Sequence, residues 1–217
     1  MADAPKQGPP LRLQTPEAVL SFPSVFVPVS FEDGPPKFSA VFVFTPEDQK
    51  SPAFLAMQKA VNFLTLQKYK GDATAAKAAI AEGLFRLPWR SNWKEKGYPE
   101  GSVFFTARSN PNNPPGIVGA RADTATGKPV VITEAVQKVG HEHEVYSGCR
   151  VRGLVKFYTF DKIGKGVGVA LLGLQKLGEG ARLDNRIAAE DAFEAILSDT
   201  PAALDDMGAD GMDDLLK

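Results

Sequence analysis

The sequence predicts a mainly β fold with a helical insertion and an acidic, disordered C-terminal tail. Five or more short apolar runs are separated by turn residues, the pattern of consecutive short strands. One stretch, residues 51–84, instead carries apolar residues at three- and four-residue spacing, the helical period. From residue 198 onward acids and glycines replace the apolar runs, and such a segment buries too little to order itself. Short strands joined by turns hide their apolar faces by closing on themselves. The expected architecture is therefore an OB-fold-like five-stranded β-barrel with elaborations. By residue, 1–15 reads as a flexible N-terminus, 16–183 as the barrel domain, 184–198 as a short helix and 199–217 as the tail.

Residues 1–15 hold Pro5, Gly8, Pro9 and Pro10 and read as loose. Residues 18–31 are apolar and β-branched but contain Pro23 and Pro28. Proline donates no ladder hydrogen bond, so an edge strand or two short strands are expected. Residues 32–36 (EDGPP) are a turn by composition. In the next strand, residues 38–44, Phe38, Ala40, Phe42 and Phe44 share one face and Ser39, Val41 and Val43 the other; both are apolar enough to need cover. Ser51 and Pro52 are an N-cap and a first helical residue. Phe54, Met57, Val61 and Leu64 form the stripe of that helix, Gly71 ends it, and residues 73–84 predict a second. Residues 102–107 predict a strand, residues 109–116 a loop, and the runs around 117–119 and 130–133 a hairpin.

The stretch 144–178 carries the functional signal. From Cys149 the chain alternates: Val151, Gly153, Val155 and Phe157 on one side, Arg150, Arg152, Leu154, Lys156 and Tyr158 on the other. A turn at 161–165 leads to Val167, Val169 and Leu171, so the two runs predict a hairpin. One face is core. The other offers cations and a ring, which is what phosphates and unstacked bases require. Residues 87–98 interleave Trp89, Trp93 and Tyr98 with Arg90, Lys94 and Lys96, a second loop able to stack bases and hold phosphates. At least one of the two tryptophans is expected to plug the core.

The net charge of −1 hides an asymmetry. Residues 187–217 contain nine acids against one base, a balance of −8, which leaves +7 on residues 1–186. A basic body fits a polyanion, and an acidic tail competes with it. The tail's Asp205, Asp206, Asp210, Asp213 and Asp214 precede Leu215 and Leu216, a composition suited to a basic-rimmed apolar pocket on a partner. The lone Cys149 cannot form an internal disulfide, which suits a reducing compartment. No apolar run is long enough to cross a bilayer. A soluble, cytoplasmic protein with no membrane partner is expected.

Catalytic patterns are weak. His141 and His143 would share a strand face, but no third ligand stands at a recognisable spacing. Gly164 to Gly168 is Gly-rich without the spacing of a phosphate loop, and it joins two strands. Cys149 reads as a buried small hydrophobe. The expectation is a protein that is not an enzyme, with no catalytic residues, no metal and no cofactor.

Several segments carry a resemblance. They are Ala18-Val-Leu-Ser-Phe-Pro-Ser-Val-Phe26, Pro36-Lys-Phe-Ser39, Thr45-Pro-Glu-Asp48, Glu144-Val-Tyr-Ser-Gly-Cys149, Val155-Lys-Phe-Tyr158, the run from Gly164 to Leu177, and Ala188-Ala-Glu-Asp-Ala-Phe193. In this order, across roughly residues 15–195, they resemble the phage-encoded single-stranded-DNA-binding proteins, formerly a family of unknown function. Tyr146-Ser-Gly-Cys149 is the most specific piece. The resemblance implies an OB-fold and sequence-tolerant binding and protection of single-stranded DNA. It implies a setting in phage DNA replication, recombination and repair in the bacterial host cytoplasm. The acidic tail resembles those of such proteins, which implies replication or recombination proteins as partners; it ends in Leu215-Leu216-Lys217, without a terminal aromatic.

The expected DNA-binding residues are thus Arg150, Arg152 and Lys156 for phosphates and Tyr158 for stacking, with Trp89, Arg90, Trp93 and Lys94 as a second set. The alternative is a β-barrel module that binds proteins of the replication machinery without touching DNA. Deleting residues 199–217 is expected to tighten the binding of single-stranded DNA, most at low salt, where the charges are least screened. Oligo-dT titrations of both chains at two salt concentrations check this.

Overall fold

The computed structural model describes residues 8–31, 34–135, 145–162 and 164–183. In chain order the strands are β1 (Arg12–Gln14), β2 (Ala18–Val29), β3 (Lys37–Phe44), β4 (Val103–Ser109), β5 (Gly116–Ala122), β6 (Pro129–Val131), β7 (Arg150–Phe160) and β8 (Gly166–Gly178). Helices α1 (Pro52–Lys68) and α2 (Ala73–Ala81) fall between β3 and β4. The fold is mixed α/β, a sheet with helices inserted at one connection.

The long hairpin β7–β8 pairs from Phe160↔Gly166 to Arg150↔Gly178. On β7 the alternation is as the sequence predicts: Val151, Gly153, Val155 and Phe157 are buried, while Arg152, Leu154, Lys156 and Tyr158 are exposed. On β8 a register shift opposite Leu154 and Val155 changes the parity. Before it Val167, Val169 and Leu171 face inward; after it Leu174 and Lys176 do. An extra residue turns the following side chains to the other face, and that is how a lysine comes to be buried at the strand's end.

The pairings form a closed circuit. β2 pairs antiparallel with β3, β3 with β4, and β7 with both β8 and β2. β4 meets β8 in parallel at one register pair, Arg108↔Ala170. β1 is added to the free side of β7, β5 runs parallel to β8, and β6 pairs with β5. β2 is one strand, with register shifts on either side of Ser24. Its first residues pair on both sides, to Val43 and to Arg150. Pro23 and Pro28 fall farther along, where β3 is its sole named strand partner, the edge setting in which a residue without an N–H is tolerated.

The core is aromatic. Phe42, Phe44, Phe105 and Phe157 from the strands meet Phe54, Met57, Val61 and Leu64 of α1. Phe44 and Phe54 stack edge-on at 5.2 Å, a pair geometry worth about 0.5–1.5 kcal/mol beyond its buried area. The helix starts where expected: the Ser51 side chain accepts from the Phe54 N–H, and Pro52 follows it. Asp72 caps α2 by accepting from Thr74 and Ala75. A smaller cluster of Val43, Phe104 and Tyr98, joined by Trp93, covers the opposite face of β3 and β4. Both faces of β3 are therefore covered at that end, as its apolar alternation predicts.

Residues 12–14 pair with β7, where composition predicts a loose segment; three residues show no period, and tertiary pairing decides. The expected helix over 184–198, the tail with Asp205, Asp206, Asp210, Asp213, Asp214, Leu215 and Leu216, and the pair His141 and His143 lie outside the described residues. Gly153 stands where a Cβ would lie 2.6 Å from the Phe42 ring, and that ring is fully buried and cannot yield. Gly153→Ala is expected to destabilise the fold by about 1–3 kcal/mol, the usual cost of overpacking. Gly116→Ala, where the added carbon meets open space, is the control. Urea midpoints of the two variants check the difference.

Candidate nucleic-acid interface

β4 and β8 touch once and then part, and residues 86–90 fill the space between them. Arg86 bonds to the start of β8: its N–H donates to the Lys165 carbonyl, and its carbonyl accepts from the Val167 N–H, both at 2.9 Å. Arg90 bonds to β4, exchanging two 2.9 Å backbone bonds with Phe104. Between these anchors Trp89 turns inward, 5.1 Å from the Phe54 ring and 5.4 Å from Phe105. An indole wedge thus holds the strands apart while the two arginines beside it reach solvent.

The result is a groove of about 750 Å³ over the outside of the parted strands. Lys37 of β3, Arg108 of β4, and Arg86 and Arg90 of the bridging segment line it, with Thr106, Trp89, Tyr158 and Phe160. Among the described residues no carboxylate lines it. Among the described residues none of these four cations has an ion pair, whereas Lys68 is held by Asp161 at 2.7 Å, Arg150 by Glu17 at 2.6 Å and Lys176 by Glu179 at 2.6 Å. A row of cations without counter-charges raises the local potential and attracts anions. Tyr158 is 43% exposed. Its ring lies over Gly168, where a Cβ would come within 2.7 Å of it. Farther along, Lys37 and Arg108 also line a smaller concavity of about 240 Å³ with Ser39, Gly34 and Phe31, and Phe31 is 79% exposed.

The structure divides the residues singled out from sequence. Tyr158, Trp89 and Arg90 come together in the groove. Lys156 is exposed two residues from Tyr158 on the same strand face. Arg152 lines a separate hollow beside β5, and Arg150 is engaged by Glu17. Trp93 packs on the Tyr98–Phe104 cluster, and Lys94 is exposed in the short helical turn after it. Sequence reasoning missed Lys37, Arg86 and Arg108. Each is a single cation on a different element, so no spacing joins them.

The motif at residues 146–149 lies elsewhere and is structural. The Tyr146 hydroxyl donates to the Gly180 carbonyl at 2.9 Å and accepts from the Gly180 N–H at 3.0 Å. The Arg182 guanidinium carbon sits 4.5 Å from the Tyr146 ring centre. Gly148 has φ +116°, and a Cβ there would overlap the Ala181 carbonyl. Cys149 is fully buried, as expected, and burial pushes its thiol pKa up. Among the described residues no group of metal-ligating side chains is present, and no helix is long and apolar enough to cross a membrane.

Solved structures share the fold, three of them as follows. The single-stranded DNA-binding protein from bacteriophage Enc34 aligns with a TM-score of 0.57 at 15% identity, covering 85% of this chain and 90% of that one. The same phage protein in complex with ssDNA aligns at 0.58 and 16%, covering 82% and 99%. The single-stranded DNA-binding protein gp2.5 of bacteriophage T7 aligns at 0.51 and 10%, covering 82% and 97%. No curated protein matches. A family model described as the ssDNA-binding protein of Enterobacter phage Enc34 matches residues 12–206. The chain belongs to that family.

Proposed function

We propose that this chain is a sequence-tolerant single-stranded-DNA-binding protein and that the groove between the parted strands is where DNA lies. The observation that carries the reading is the groove's lining: among the described residues, four cations without an ion pair and an exposed tyrosine ring, with no carboxylate beside them. Phosphates are held by Lys37, Arg86, Arg90 and Arg108, and bases stack on Tyr158. Neither contact reads base identity, because every base has a π-face and every nucleotide a phosphate. The circuit β2–β3–β4–β8–β7 with its parallel β4–β8 step supports an OB-fold barrel. In that fold the second and third strands and the connections after the first and fourth hold oligonucleotides. Lys37 and Ser39 stand on the second strand of the circuit, Thr106 and Arg108 on the third, and Phe31 on the connection between the first two. Membership of a family described as ssDNA-binding, and the similarity to single-stranded-DNA-binding proteins of two phages, support the same assignment. Protection of single strands during phage replication and recombination in the host cytoplasm follows from this reading, with the acidic tail as the contact for replication or recombination proteins.

Tyr158→Ala is expected to weaken oligo-dT binding about ten-fold or more, since one stacked base is worth about 1–3 kcal/mol. Gly168→Ala keeps the tyrosine but tips its ring, and is expected to weaken binding in the same direction with little change in thermal midpoint. Arg108→Ala should reduce the slope of log affinity against log salt by about 0.7, the value of one phosphate contact on a single strand. Fluorescence titrations at several salt concentrations read all three. Wild-type affinity and slope throughout would remove the groove as the DNA site and favour the protein-binding module.

A further inference from the structure

On the far side of Tyr158 the strands bring two like charges face to face. β1 pairs with β7 so that Arg12 stands directly opposite Lys156, and both side chains are exposed. Like charges opposed across an antiparallel pair destabilise a sheet. Neither has an ion pair among the described residues, although Arg150, on the same strand, has one with Glu17. The fold thus neutralises Arg150 of β7 and leaves Lys156 of β7 opposed to Arg12 of β1, and an anion seated between those two would relieve their repulsion.

The surroundings show where that anion leads. Outward residues of β7 face small or apolar partners on β8: Tyr158 faces Gly168, Lys156 faces Ala170 and Leu154 faces Gly173. Ala170 leaves a low crossing beside Lys156. Beyond it lies a hollow of about 370 Å³, floored by Leu154, Leu172 and Gly173 and rimmed by Arg152, Gln14 and Gln175. The groove and this hollow thus lie along one outward face of β7, joined by the Arg12–Lys156 pair. From Tyr158 to Arg152 the strand spans about 20 Å at about 3.3 Å per residue.

We propose that single-stranded DNA does not end at Tyr158 but continues along β7. Arg12 and Lys156 share its phosphates, and an apolar floor with Arg152 beyond them receives further bases. This rests on the groove reading of the proposed function and adds a second limb to it. The limb makes the contribution of Arg12 and Lys156 depend on DNA length.

The test compares Arg12→Ala/Lys156→Ala with the unaltered full chain on a short oligo-dT of about 4 nucleotides and a long one of about 16, the range an OB-fold covers. The double variant is expected to bind the short oligonucleotide as the unaltered chain does. Its affinity for the long one should fall at least about five-fold at low salt, and the salt slope should shrink by about 1.4, for two phosphates at about 0.7 each. Its thermal midpoint should hold or rise, because a repulsion has been removed. An unchanged affinity and slope for the long oligonucleotide would overturn the proposal. So would a lowered midpoint, which would make the pair a stabilising contact. Loss of binding only to a synthetic peptide of residues 199–217 would assign the track to the acidic tail and also overturn it. Failure of the groove reading is distinguishable, since Arg108→Ala would then leave both oligonucleotides unaffected.

Discussion

The groove exists because β4 and β8 pair only once. Parallel strands that kept pairing beyond Arg108↔Ala170 would present a continuous ladder with no depression. Instead the strands separate, and the gap must be filled, because a void beside Phe105 and Phe157 would forfeit dispersion contacts along its whole lining. Trp89 fills it. Its ring is large enough to reach Phe54, Phe105 and Phe157 together. The backbone on either side is held by the bonds of Arg86 to β8 and of Arg90 to β4. The packing requirement and the placement of the two arginines are one constraint: wherever the indole is wedged, its charged neighbours flank the opening.

Charge then acts on that shape. Exposed ion pairs contribute little to stability, so leaving Lys37, Arg86, Arg90 and Arg108 without a carboxylate partner among the described residues sacrifices little folding energy. What it changes is the field. Cations facing a hollow with apolar walls sum into a potential that reaches about a Debye length, roughly 8 Å at physiological salt. That is far enough to collect a flexible polyanion before any ring stacks. In the proposed reading Tyr158 supplies the short-range part, its ring lying against the bare backbone of Gly168. The two kinds of contact respond to different variables, salt for the cations and ring area for the tyrosine.

Much of this was legible in the sequence where the period was strong. The alternation of β7 placed Val151, Gly153, Val155 and Phe157 inside and Arg152, Lys156 and Tyr158 outside, and burial follows that division. Ser51 and Pro52 marked the start of α1 because a cap and an N1 proline leave few other readings. The groove was not legible, because it is assembled from one to a few residues on each of several elements that only the closed circuit brings together. Nothing distinguishes Arg108 on β4 from a solvated surface arginine until Lys37 stands beside it in the same hollow. Trp89 and Trp93 could not be separated either: both are aromatic residues in a loop without a period, and their fates differ because one faces the strand gap and the other the outer cluster.

The most specific local motif and the candidate site do not coincide, and there is a physical reason for it. A site that accepts any base needs charge and ring surface, and both can be supplied from many positions by several residue types. No short string of residues is dictated by that need. The corner at residues 146–149 is different. The segment at 180–182 crosses it so closely that only a glycine fits at Gly148, with a positive φ that other residues rarely adopt. The Tyr146 hydroxyl must also reach both backbone groups of Gly180. Such a corner dictates residue and position together. In this chain the corner that holds the end of β8 is therefore a compact string of residues, while the proposed binding surface is spread too thinly along the sequence to form one.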